Sequence, residues 1–136
     1  MRIGIVVNPD AGLGGRLGFK GSDGRAAEAR AAGAEDRAGP RMKLALDALQ
    51  SLLSSSLNRS DVDLECLGWS GRMGGTWVPE PSEKMTFTSI GSTPAETSVE
   101  ETSQLVRDLV DGGAAALLYA GGDGTTRYIA NTSERD

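Results

Sequence analysis

Apolar positions along this chain follow two spacings, and the alternation between them predicts its elements. Residues 2–7 (RIGIVV) form a β-branched run with almost no polar interruption, the pattern of a strand buried on both faces and central in its sheet. Asn8-Pro9 ends it, because proline has no N–H for the ladder. The period then changes. Met42, Ala45, Leu46, Leu49, Leu52 and Leu53 recur at three and four, predicting a helix over about 41–57 with Pro40 in its first turn. Residues 62–67 (VDLECL) alternate, which predicts a second strand nearer the sheet edge, and 85–90 (MTFTSI) predict a third that ends at Gly91. Two overlapping capping boxes, Thr97 with Glu100 and Ser98 with Glu101, mark the next helix start. Its narrow apolar face is Val99, Ser103, Val106, Leu109 and Val110, and Gly112-Gly113 ends it. Residues 114–120 (AAALLYA) read as a fourth, buried strand, and Thr125 opens a further helix.

Two stretches resist this reading. Residues 25–40 are rich in alanine and charge, which fits a short helix over 25–32 or a connector with little to bury. Residues 68–77 set glycines around Trp69 and Trp77, which are expected to cover the core or a domain contact, with a second ligand loop as the alternative. Helices between strands imply crossover connections. The expected fold is therefore α/β, one domain with an open, mostly parallel sheet and helices on both faces.

Composition narrows the chemistry. A net charge of −5 argues against a general nucleic-acid or anionic-membrane binder, while leaving room for a locally positive pocket. No apolar run approaches the roughly 20 residues of a membrane span, and the first residues read as a strand rather than a leader, so a cytoplasmic protein is expected. The single Cys66 reads as a small core residue. Histidine is absent, which excludes Ser-His-Asp and Cys-His catalysis within the chain and any His-ligated zinc. Acid–base work falls to Asp, Glu, Lys or Tyr.

The informative stretch is Gly121-Gly122-Asp123-Gly124-Thr125. A strand ending at two glycines delivers a turn whose backbone a ligand can approach closely, and the N–H groups of the turn and helix start suit phosphate. Asp123 stands out among those donors, since a carboxylate repels phosphate unless it binds a metal or accepts a proton. A second loop follows the first strand, with glycine at 12, 14, 15, 18, 21 and 24 and the cations Arg16 and Lys20. Open α/β sheets bind ligands at such strand ends. The two loops can flank one crevice only if their strands lie near each other.

Gly121-Gly-Asp-Gly-Thr125 after an apolar strand resembles the hallmark of the superfamily of NAD kinases, diacylglycerol and sphingosine kinases and phosphofructokinases. Asn8-Pro-x-Ala-Gly12 is similar to the motif shared by the NAD and lipid kinases. The run from Ala11 to Gly24 resembles the archaeal and bacterial ATP–NAD kinase group, which includes acetoin-catabolism proteins. The resemblance spans roughly residues 1–130, though the middle adds only element order. It implies transfer of a phosphoryl group from ATP or polyphosphate, with Mg²⁺, to the 2′-hydroxyl of NAD. Asp123 would be the proton acceptor. Gly121, Gly122, Gly124 and Thr125 would hold phosphates, and Asn8 with Gly12, Gly14, Gly15, Lys20 and Asp23 would form the facing wall. No residue is assigned as a metal ligand. Small-molecule nucleotides are the expected partners, and homo-oligomerisation is left open. Family members continue into a second, β-rich domain, so residues 1–136 are expected to be an N-terminal domain, inactive alone. A non-catalytic nucleotide-binding module and a lipid-kinase domain are the alternatives.

Overall fold

The run RIGIVV forms β1 (Arg2–Val7), and Ile5, Val6 and Val7 have no solvent exposure. On one side it pairs with β2 (Leu64–Ser70), beyond which lies β3 (Met85–Ser92); on the other it pairs with β4 (Ala116–Ala120). Every pairing is parallel, in the order β3-β2-β1-β4. The structure is a computed structural model that describes residues 1–9, 37–55, 61–122, 126–127 and 129–130. The helix expected over 25–32 lies outside the described residues.

One helix covers each face. Helix α1 (Ala38–Ser54) packs Met42 and Leu46 against Ile5, Val7, Cys66 and Met85. Helix α2 (Val99–Asp111) packs Leu105, Val106 and Leu109 against Val6, Leu67 and Trp69. Successive residues of β1 thus alternate between the two layers, as the period of two in a strand requires. The fold is an open, all-parallel α/β sheet among the described residues, with helices on both faces. Cys66 is fully buried, and burial pushes its thiol pKa up, which suits a core residue and not a thiolate nucleophile.

Several expectations are corrected. The strand expected near the edge is interior: β2 is hydrogen-bonded on both sides and runs on through Gly68 and Trp69, past a register shift against β3. The alternation of 62–67 misled because both faces of β2 are covered by helices. Conversely, β4 was expected buried but is an edge of the described sheet, half-exposed along its length, with Tyr119 39% accessible. Helix α1 starts at Ala38 rather than 41, and Leu52 on its outer side is exposed. The buried stripe of α2 is Thr102, Leu105, Val106 and Leu109, rotated from the expected face so that Val110 points outward. Leu105 sets that rotation, because a fully buried leucine outweighs Val99 and Ser103.

Both tryptophans cover the core. Trp69 donates from Nε1 to Asp108 Oδ2 at 3.0 Å and lies over Gly91. Trp77, in the 3₁₀ turn Gly75–Trp77, donates to the Arg72 carbonyl at 2.8 Å and lies against Gly39 in the first turn of α1. A Cβ at Gly39 would come within 2.1 Å of the indole. Gly39→Ala should therefore destabilise despite a gain of up to about 1 kcal/mol in helix propensity, since overpacking typically costs about 1–3 kcal/mol. Urea unfolding followed by tryptophan emission checks this, and an unchanged midpoint contradicts it.

The start of α2 settles the register that the sequence left open. Ser98 is the N-cap: its backbone N–H donates to Glu101 Oε2 at 2.8 Å, its hydroxyl donates to the same oxygen, and Glu100 N–H donates to Ser98 Oγ at 3.3 Å. The bond from the Ser98 side chain is the main cause that holds the Glu101 pKa below its ordinary value. A lowered folded-state pKa stabilises fully above the ordinary carboxylate range, and the contribution disappears as pH falls through the folded value. Ser98→Ala should cost about 1 kcal/mol near neutrality, and the variant should lose less stability on acidification than the parent. Melting temperatures across the acid range test both statements.

Candidate functional site

The strand order places the two loop-bearing ends side by side. From β1 the chain steps outward to β2 and β3, then returns across the sheet to β4 on the other flank of β1. The order therefore reverses between β1 and β4, the switch point at which open α/β sheets receive ligands. The two strands stay in register from Ile3 opposite Ala116 to Val7 opposite Ala120, and Asn8 N–H then donates to the Ala120 carbonyl at 3.0 Å. On its other flank Val7 N–H donates to the Met73 carbonyl at 3.0 Å. Asn8 is thus fixed beside Gly121 and Gly122, three of the predicted site residues brought together. Gly12, Gly14, Gly15, Lys20, Asp23, Asp123, Gly124 and Thr125 lie outside the described residues.

Beyond the glycines the chain turns into a helix. The Gly122 carbonyl accepts Thr126 N–H at 3.2 Å, a bond of helical spacing, and Thr126 and Ile129 are helical. The hydroxyls of Tyr119 and Thr126 are hydrogen-bonded at 3.0 Å, which ties the two ends of the motif together. Ile129 anchors this segment in the α2 layer.

On the α1 face, a cleft of about 350 Å³ opens between the start of α1 and the end of β4. Arg37, Ala38, Arg41, Met42 and Ala45 line one wall; Leu118 to Gly122 line the other. Sequence reasoning missed both arginines as site residues, because Arg37 fell in the connector read over 25–40 and Arg41 was read only as the start of a helix. A signal was present: the two stand four residues apart around Pro40, at the start of an apolar helical period. Cations at the positive end of a helix dipole typically cost about 0.3–1 kcal/mol each. Here they are offset by no side-chain cap and no acidic residue in the first turn.

A scan of protein-family models, a search of curated proteins and a search of solved structures each find no match to this chain. The site therefore has to be read from its own geometry. The described residues contain no group of three or more His, Cys, Asp or Glu side chains that could hold a metal. Among them, no helix is long and apolar enough to cross a membrane.

Gly122 separates folding from binding. A Cβ built there meets nothing within 4 Å among the described residues, and its φ is not positive, so their contacts do not require glycine. Close approach of a ligand would. Gly122→Ala should stay within about 0.5 kcal/mol of the parent in stability and weaken tripolyphosphate binding by about tenfold, roughly one charge-assisted hydrogen bond. Calorimetric titration beside thermal unfolding checks the split. Unchanged binding would remove Gly122 from the site.

Proposed function

We propose that this chain carries the phosphate-binding and proton-accepting half of a phosphotransferase of the NAD kinase type. The reaction passes a phosphoryl group from ATP or polyphosphate to the 2′-hydroxyl of NAD. The observation that carries the reading is the adjacency of β1 and β4, locked by the Asn8–Ala120 hydrogen bond. It gives the two glycine-rich loops a common origin at the switch point, the arrangement that a two-walled nucleotide cleft needs.

In this reading the backbone N–H groups of the Gly121–Thr125 turn hold phosphate oxygens, and Asn8 with the 11–24 loop forms the opposite wall. The acceptor oxygen attacks the terminal phosphorus. Its bond to phosphorus forms as the bond to the leaving ADP, or shortened polyphosphate, breaks. The hydroxyl proton goes to Asp123, the only carboxylate in the motif. Catalysis of this kind rests on positioning and charge stabilisation more than on covalent chemistry. A bound Mg²⁺ would neutralise charge on the donor phosphates, and no step here depends on protein ligands to it.

Asp123→Asn tests the assignment in the full-length protein. The variant should fold with unchanged circular dichroism and lose roughly 10²–10⁴-fold in kcat for NADP formation, the usual contribution of a positioned base. NADP is read with an NADP-specific dehydrogenase. Near-parental turnover takes the base role away from Asp123, and no NADP from the parent with either donor removes the kinase reading.

A further inference from the structure

Two arginines line the cleft between α1 and β4, and no described carboxylate neutralises them. The charged pairs among the described residues lie elsewhere: Arg2–Glu65, Lys43–Asp47 and Lys84–Asp63. The described lining of the cleft contains no acidic residue; beyond the two guanidiniums it is apolar side chain, Tyr119 and the backbone of Gly121 and Gly122. In a chain of net charge −5, this is a local inversion of sign. Arg37 at the N-cap and Arg41 in the first turn of α1 both line this cleft, so they present their charges to the same space.

We propose that Arg37 and Arg41 clamp the phosphate chain of the phosphoryl donor, which lies in this cleft on the α1 side of Gly121–Gly122. Guanidinium is suited to the task, because its planar fork takes two phosphate oxygens at once. Met42, Ala45 and Leu118 give the cleft an apolar wall that limits water and strengthens the charge contact. The cleft has the size of a small-molecule site. The donor's position follows: its phosphate chain runs from the arginines toward Gly121 and Gly122. Calling the ligand a donor rests on the phosphotransferase reading; the binding of a phosphate chain does not.

The test is calorimetric titration of the full-length protein with inorganic tripolyphosphate and, separately, ATP. Trp77 lies on Gly39, between the two arginines in sequence, so its emission gives a second readout. The parent should bind tripolyphosphate, and R37A/R41A should bind it about 10–100-fold more weakly, the expected loss of charged hydrogen bonds. R37K/R41K should recover part of that affinity, as point charges without the fork. R37Q/R41Q stands in should the alanine pair not unfold cooperatively. ATP bound as tightly as tripolyphosphate means that the cleft reads the phosphate chain alone; tighter ATP adds a contact to the nucleoside. Both support the site. Variants that bind tripolyphosphate within twofold of the parent overturn it, as does a parent that binds no phosphoanion. Arginine-dependent binding without NADP formation keeps the site and discards the kinase reading. NADP formation indifferent to both substitutions does the reverse.

Discussion

The pairing of β1 with β4 is the constraint on which the rest depends. Strand β1 is sealed above and below by the two helix layers and hydrogen-bonded at both edges, so its end point is fixed in all directions. Parallel strands leave their sheet at the same end, and a five-residue register delivers Asn8 and Gly121 to one place. A slip of one residue would turn Ile5 and Val7 toward the α2 layer and separate the loop origins together. Core packing and site assembly are thus the same requirement, and the site inherits the rigidity of the most buried strand.

The two helix starts show how the chain divides its local rules between stability and binding. Helix α2 obeys them all, with a capping box at Ser98 and Glu101 and acidic residues in the first turn. Helix α1 breaks them: Arg37 stands at the cap position without a side-chain hydrogen bond, and Arg41 adds a second cation within a turn. Trp77 packed on Gly39 holds this start in place without the missing cap. Where local preference is violated and packing compensates, a functional explanation is the natural one.

Strand and helix identities were legible because apolar spacing reports which faces are covered. The apolar run in RIGIVV marked a buried strand, and the two overlapping capping boxes at 97–101 marked a helix start, though not its register. What was not legible was lateral position. Alternation in 62–67 resembled an edge strand because Glu65 sits at one exposed spot where it pairs with Arg2, although Leu64, Cys66 and Leu67 are all buried. The apolar run 114–120 resembled a buried strand, yet its place depends on what pairs beyond it, which periodicity does not encode. The glycine motif announced a ligand loop. The arginines of the neighbouring cleft remained hidden, because Arg37 and Arg41 belong to a helix start that only tertiary packing turns toward β4.

Glycines sort by what each position demands, and that sorting bears on the site. At Gly4 a side chain would strike Leu109 and Leu117, and at Gly91 it would strike Trp69, so layer packing requires glycine there. Gly71 and Gly113 have φ of 92° and 85°, so their turns require it. Gly122 belongs to neither group, since no described residue crowds its Cβ position and its backbone is not left-handed. A residue that lowers rigidity without serving packing or backbone geometry is costly to the fold. Gly122 lies beside Asn8, at the end of a cleft lined by two arginines that no described carboxylate pairs with, which is the setting in which the proposed phosphate ligand would approach the backbone.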